Sequence, residues 1–165
     1  MSIADLAPAS VSVKPPPAPE LHPLFERLFR EFGYANVTPD TLDVFLAAPG
    51  RKLLVFLDDP NRLKETLDLA VIAPELARAF APHLSVGVLL PAAATTIAPK
   101  YGFRRWPALV VTDGAGYVGA IDGLRDWSEY LESLAQLMQA PVTRPPSVGI
   151  AVRAAGSDDH DAHCH

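Results

Sequence analysis

The stretch of sequence that decides the fold is Ala98-Pro99-Lys100-Tyr101-Gly102-Phe103-Arg104-Arg105-Trp106-Pro107-Ala108-Leu109-Val110-Val111. It predicts a short helix, a turn at Gly102 and a β-strand that Pro107 opens, because proline lacks an N–H and suits the first residue of a strand. Turn residues over 113–116 and a second strand over 117–121 follow, which indicates a β-hairpin. Asp126 and Glu129 then have the spacing of a capping box in front of a last helix.

This order of elements resembles the C-terminal half of a thioredoxin fold. The segment around Pro107 is similar to the region of thioredoxins that contains the cis-proline, and Gly123 falls on the glycine that borders the same groove. The resemblance implies a cis peptide bond between Trp106 and Pro107, an isomer that persists only where the fold imposes it. It also implies that the backbone of Trp106 is unpaired and can add an extended peptide as a strand.

The residues before this stretch predict the other half of an α/β fold. Apolar residues spaced by three and four predict helices over 21–32 and 40–47, the second capped by Thr38 or Asp40. The continuous apolar run over 52–57 is typical of a central strand covered on both faces. A strand over 84–90 should lie parallel to it, after a long helix that ends near Phe80.

Two more helices complete the prediction. A short helix is expected over 94–101, and the last helix should bury a face made of Trp127, Tyr130, Leu131, Leu134, Leu137 and Met138. The fold class is therefore α/β, a thioredoxin-like fold in which a mixed sheet of about four strands is flanked by about four helices.

The composition excludes several classes of protein. The chain has 165 residues, enough for one domain with a sizeable core, and no apolar run approaches the length of a membrane span. A formal net charge of −5 disfavours a nucleic-acid partner. The first eight residues have neither the basic nor the apolar region of an export signal, which predicts a cytoplasmic protein that does not insert into a membrane.

The redox chemistry of thioredoxins has no counterpart in this sequence. Thr66-Leu67-Asp68-Leu69 stands where that fold carries its Cys-x-x-Cys motif, and Val55 replaces the buried acidic residue. Dithiol exchange needs an attacking thiolate and a resolving thiol, whereas Cys164 is the single cysteine. Thiol–disulfide oxidoreductase activity is therefore excluded unless Cys164 acts alone.

Several short motifs resemble the hydrogenase expression proteins of the HyaE/HupG type. They are Asp59-Pro60-Asn61-Arg62 followed by Glu65, Asp68, Val71, Glu75 and Leu76, then Phe103 to Ala108, then Tyr117-Val118-Gly119 through Gly123 to Trp127. The resemblance covers about residues 21–140. It implies a non-catalytic chaperone in nickel–iron hydrogenase maturation that needs no cofactor. Such a protein binds the twin-arginine signal peptide of the hydrogenase small subunit before export.

The candidate peptide-binding residues are Asp59, Glu65, Leu67, Asp68, Trp106 and Pro107. The three carboxylates would take the two arginines, since carboxylates accept arginine bidentately, and Trp106 and Leu67 would contact the apolar segment. Other interpretations stay open. Acidic residues at a helix N-terminus also serve capping and the helix dipole, and Trp106 and Pro107 could simply pack the hairpin. Arg104 and Arg105 could repel basic peptides or form salt bridges with the acidic residues, although such a pair is usually solvated.

The composition changes at both ends of the domain predicted over 20–140. Residues 1–19 carry five of the 17 prolines, residues 141–165 end in a sequence rich in His, Cys and Asp, and both segments are predicted to be disordered. The side chains in the tail that suit nickel or zinc are His160, His163, Cys164 and His165. An adventitious metal-binding tail is the simpler interpretation, so no metal site is predicted. Two alternative functions use this tail, a monothiol redox protein acting through Cys164 and a nickel-handling protein.

Overall fold

The structure is a computed structural model, of which residues 21–147 are described here. The helices are α1 (Pro23–Arg30), α2 (Leu42–Ala47), α3 (Glu65–Ala79), α4 (Pro91–Ile97), which a 3-10 turn (Ala98–Lys100) extends, and α5 (Trp127–Gln139). The strands are β1 (Ala35–Asn36), β2 (Arg51–Phe56), β3 (Leu84–Leu89), β4 (Ala108–Asp113) and β5 (Gly116–Asp122). Within 21–147, no helix combines the length and the apolar character needed to cross a bilayer.

The strands form one mixed sheet in the order β1-β3-β2-β4-β5. β2 is parallel to β3 and antiparallel to β4, and β4 is antiparallel to β5. This arrangement confirms the predicted thioredoxin-like fold and both predicted strand pairs. The sheet has five strands rather than about four, because β1 adds two residues beside β3. A strand of two residues carries no alternation pattern from which it could have been predicted.

The central strand β2 contributes to two separate cores, because successive side chains point to opposite faces of a sheet. Leu53 and Val55 pack with helices α1, α3 and α5 on one face, which we call the α1/α3/α5 face. Leu54 and Phe56 pack with α2 and α4 on the other, the α2/α4 face. All four side chains are fully buried. The prediction of a strand covered on both sides is therefore confirmed.

Local features around the hairpin follow the sequence closely. The Trp106–Pro107 peptide bond is cis, as the resemblance implied, and so is Ala81–Pro82, which the sequence analysis did not single out. Gly102 has a φ of 68° at the predicted turn. The capping box of α5 is present, with the Asp126 N–H donating to Glu129 Oε2 over 3.1 Å.

The two short helices differ from the predictions at their ends. Helix α2 begins at Leu42 after Thr41, so neither Thr38 nor Asp40 is its cap. The Thr38 N–H instead donates to Thr41 Oγ1 over 2.8 Å, which uses the hydroxyl in the preceding turn. Helix α4 begins at Pro91 rather than residue 94, because proline suits a first helical position whose N–H needs no partner.

Trp127 was predicted to be buried, and this prediction is wrong. It is the first residue of α5 and is 45% exposed. The helix packs on the sheet through Tyr130 and Leu134, which lie in its later turns and are fully buried. The apolar spacing was correct for those turns but did not extend to the residue beside the cap.

Residues 141–147 cross the sheet edge after α5. The Thr143 N–H donates to the Tyr117 C=O on β5 over 2.7 Å. Pro146 then lies where a side chain on Gly102 would project. Residues 1–20 and 148–165 lie outside the described range, as do most of the two predicted disordered segments, so the domain boundaries remain predictions.

Candidate functional site

The predicted site residues lie at one end of the sheet. The register pairs Phe56 with Ala108, which puts the end of β2 beside the start of β4. The loop over 57–64 and the N-terminus of α3 follow β2, and residues 103–107, here called the proline loop, precede β4. The acidic residues and Trp106 therefore flank the same end of two neighbouring strands.

The loop after β2 is organised by Asp58, which is buried. Its Oδ1 accepts from the Asp59 N–H over 2.7 Å and from the guanidinium of Arg62. Its own N–H donates to Thr66 Oγ1 over 2.9 Å. Asp59 Oδ1 accepts from the Asn61 N–H over 2.9 Å, which closes a turn within the loop. Asp58 is therefore a structural carboxylate, and the exposed Asp59 both shapes the loop and faces solvent.

Glu65 and Asp68 are exposed in the first turn of α3. Across residues 21–147, neither carboxylate has a hydrogen bond or an ion pair, and the N-cap residue Lys64 has no capping side-chain bond either. Hydrogen-bonded capping therefore does not account for these two acids. Their interaction with the helix dipole is favourable but leaves both carboxylates open to a ligand.

The ring of Trp106 is fixed by packing, whereas its backbone N–H and C=O are available to a ligand. The half-buried ring packs edge-on against Phe103 and Phe56, with centroid distances of 5.1 and 6.4 Å. Within the described part of the chain, its N–H and C=O make no hydrogen bond. The next carbonyl, that of the buried Pro107, accepts from the Gly123 N–H over 2.9 Å. An unpaired backbone at the start of a strand is what strand addition by a peptide requires.

Asp122, at the end of β5, holds the proline loop in place. Its Oδ2 accepts from the N–H groups of Arg104 and Arg105 over 3.0 and 3.2 Å, and Arg125 Nη2 lies 3.5 Å from Oδ1. Partial burial raises the pKa of Asp122, but these hydrogen bonds and the charges of Arg125 and Arg105 outweigh it and lower the pKa below its usual value. The carboxylate is therefore ionised at neutral pH. The role of Asp122 was not predicted, because nothing in the local sequence pattern indicates partners 17 and 18 positions away.

The six predicted residues form two adjoining surfaces rather than one pocket. Leu67 is half-buried against the α1/α3/α5 face, whereas Trp106 packs against the cluster of the α2/α4 face. No hydrogen bond or ion pair within 21–147 joins Glu65 or Asp68 to the proline loop. We call Asp59, Glu65 and Asp68 the acidic surface.

No metal centre is found in the described residues. They contain no group of three or more His, Cys, Asp or Glu side chains placed to hold an ion. The four weak candidates named above, His160, His163, Cys164 and His165, all lie beyond residue 147.

Known proteins with similar sequences share one role. The family model "Hydrogenase-1 expression protein HyaE" matches residues 24–130, a range that includes the acidic surface, the proline loop and Asp122. The hydrogenase expression/formation protein HoxO of Cupriavidus necator is 37% identical over 142 residues, which cover 84% of this chain and 88% of that protein. HoxO of Azotobacter vinelandii is 38% identical over 118 residues, with 72% and 79% covered.

A third relative carries the other name used for such proteins. HupG of Bradyrhizobium diazoefficiens, also a hydrogenase expression/formation protein, is 29% identical over 124 residues, which cover 73% of this chain and 84% of that protein. These matches confirm the resemblance that the short motifs indicated. The chain belongs to the HyaE family of hydrogenase expression proteins.

Proposed function

We propose that this protein is a non-catalytic chaperone in nickel–iron hydrogenase maturation, which binds the twin-arginine signal peptide of the small subunit in the cytoplasm before export. Its family supports the role in hydrogenase expression. The proposal that the chain binds the signal peptide depends on one observation. The carboxylates of Glu65 and Asp68 and the backbone of Trp106, none of which has a partner within residues 21–147, lie at the same end of the sheet.

The acidic surface suits the paired arginines of such a peptide. Glu65 and Asp68 lie one turn apart on one helix, so two neighbouring guanidinium groups can reach them together. An exposed ion pair of this kind contributes about 1 kcal/mol, and more if binding removes water from it. The alternative role of these residues, capping α3 through hydrogen bonds, has no support in the described contacts.

The proline loop suits the extended backbone of the same peptide. A strand laid beside Trp106 can use its N–H and C=O, which bond to no other described residue, and each such bond contributes about 1 kcal/mol net. The packing of Trp106 against Phe56 and Phe103 and the hydrogen bonds that Asp122 accepts from the loop backbone fix this loop before the peptide binds. A preformed surface loses little conformational entropy on binding.

A binding role rather than catalysis fits the residues at the redox position of the fold. Thr66 stands where the redox motif begins, but its side chain is fully buried and accepts from the Asp58 N–H. The hydroxyl is therefore engaged in holding the loop after β2. The only thiol of the sequence, that of Cys164, lies outside the described residues.

Charge reversal on the acidic surface tests the proposal. We expect the double variant Glu65→Lys, Asp68→Lys to bind the small-subunit signal peptide at least several-fold more weakly, with a smaller dependence on salt, because two attractive charges become repulsive. Calorimetric titration measures both quantities. The matched control is Glu75→Lys, Glu132→Lys, which changes net charge equally at exposed positions elsewhere on α3 and on α5. Unchanged affinity in the first variant would contradict the proposal.

A further inference from the structure

Two large apolar side chains are exposed where β5 meets α5. Leu124 is 39% exposed and Trp127 is 45% exposed, three positions apart. Tryptophan is one of the residue types enriched among interface residues that dominate binding. We propose that the apolar run of the signal peptide docks on Leu124 and Trp127, an assignment that rests on the proposed function and adds a second half to its site.

The segment that carries both side chains is fixed to the proline loop. Besides the bonds of Asp122 to the loop, the Gly123 N–H donates to the Pro107 C=O, and the Gly123 C=O accepts from the Tyr130 hydroxyl over 3.2 Å. Leu124 is the next residue in the chain. A peptide that uses the backbone of Trp106 therefore continues onto a surface that is already rigid.

The distribution of charge decides which end of the peptide lies here. Arg104, Arg105 and Arg125 lie near the Leu124–Trp127 pair, but Asp122, Asp126 and Glu129 lie in the same segment, and Arg125 is paired with Asp122. The three positive and three negative charges balance, so this region has no net charge. Strand β4, which follows Trp106, lies between β2 and β5 in the sheet, so the acidic surface after β2 and the Leu124–Trp127 pair after β5 lie on opposite sides of Trp106. The acidic surface attracts the arginine end of the peptide, whereas the balanced charges beside Leu124 and Trp127 offer it no such attraction. The arginines are thus assigned to α3, and the uncharged run crosses Trp106 towards Leu124 and Trp127.

The other exposed apolar residues do not share this placement. Val44 lies on α2 and Val142 follows α5, and they are 77% and 53% exposed. Neither belongs to the proline loop or to the segment bonded to it. They are therefore matched controls, because removing them deletes exposed apolar surface elsewhere.

The assignment is tested by titrating two peptides into the full chain. One is the small-subunit signal peptide with its arginines and apolar run, and the other stops before the apolar run. We expect the Leu124→Ala, Trp127→Ala variant to bind the long peptide about tenfold more weakly and to bind the short peptide with unchanged affinity. The Glu65→Lys, Asp68→Lys variant should bind both peptides more weakly, and the Val44→Ala, Val142→Ala variant should bind both with unchanged affinity. If the short peptide binds too weakly to measure, the affinity for the long peptide alone supports the assignment. It should fall about tenfold in the Leu124→Ala, Trp127→Ala variant and stay unchanged in the valine variant.

Three results would overturn the assignment. The first is an unchanged affinity of the Leu124→Ala, Trp127→Ala variant for the long peptide. The second is an equal loss for both peptides, which would indicate a general change in the fold. The third is a peptide-free dimer that the same variant abolishes, which would make this surface a contact between two copies. Failure of the wild-type chain to bind either peptide would instead overturn the proposed function, and the assignment with it.

Discussion

Replacing Asp122 with alanine should release the proline loop from β5. The variant loses two backbone hydrogen bonds to a carboxylate and the ion pair with Arg125. Hydrogen bonds to a charged group contribute about 1.5–3 kcal/mol each when buried, and an exposed ion pair about 0.5 kcal/mol. Because the Asp122 side chain is 27% exposed, solvent weakens each of these hydrogen bonds to about 1 kcal/mol. We expect the free energy of unfolding to fall by about 2–3 kcal/mol at neutral pH.

The loss of stability in Asp122→Ala should become smaller as the pH falls. The pKa of Asp122 is lowered in the folded protein, so its carboxylate stabilises the fold above the unfolded pKa of about 4. That contribution disappears as the pH falls through the folded pKa. The gap in stability between wild type and Asp122→Ala should therefore be constant between about pH 5 and 7 and should narrow below about pH 4.

Urea denaturation at several pH values measures this gap, and amide hydrogen exchange at Arg104 and Arg105 reports the loop directly. Glu132→Ala is the control, since it removes an exposed carboxylate that has no hydrogen bond or ion pair in the described residues. Equal stability of Asp122→Ala and wild type at pH 7 would refute the reasoning. So would a gap that stays the same below pH 4.

Two further substitutions test buried hydroxyl groups, one with a hydrogen-bond partner and one without a partner in the described residues. Thr66→Val should lower the free energy of unfolding by about 1–3 kcal/mol, because it leaves the buried Asp58 N–H without its acceptor. Thr66→Ser keeps the hydroxyl and should melt close to the wild-type temperature. Equal losses of stability in the two variants would contradict this prediction. Tyr101→Phe should be neutral or stabilising by up to about 1 kcal/mol, because the buried hydroxyl has no hydrogen-bond partner within 21–147. Burial, with a smaller effect of Asp43, raises the pKa of Tyr101 to about 12, so absorbance titration should lose its last tyrosine step in this variant.

The parts of the fold that the sequence predicted depend on local patterns. A run of apolar residues such as 52–57 contains within itself the reason for a doubly covered strand, and Asp126 with Glu129 contains the reason for a helix start. The acidic residues of α3 were found in the same way. The cis bond at Pro107 came from the resemblance, because no local pattern distinguishes it.

The parts that were missed depend on distant contacts. Asp122 holds Arg104 and Arg105, and only the hairpin register brings the three together. The exposure of Trp127 depends on where α5 meets the sheet, which apolar spacing alone does not fix at the first residue of a helix. Half of the proposed binding surface therefore became visible only with the tertiary structure.

The most direct test of the proposed function is one calorimetric titration of the wild-type chain. It compares the small-subunit signal peptide with the same peptide in which both arginines are replaced by glutamine. We expect saturable binding of the first peptide and at least several-fold weaker binding of the second, because guanidinium groups form charged bidentate pairs with the carboxylates of Glu65 and Asp68 and the neutral glutamine amides do not. Equal affinity for the two peptides, or no binding of either, would contradict the account.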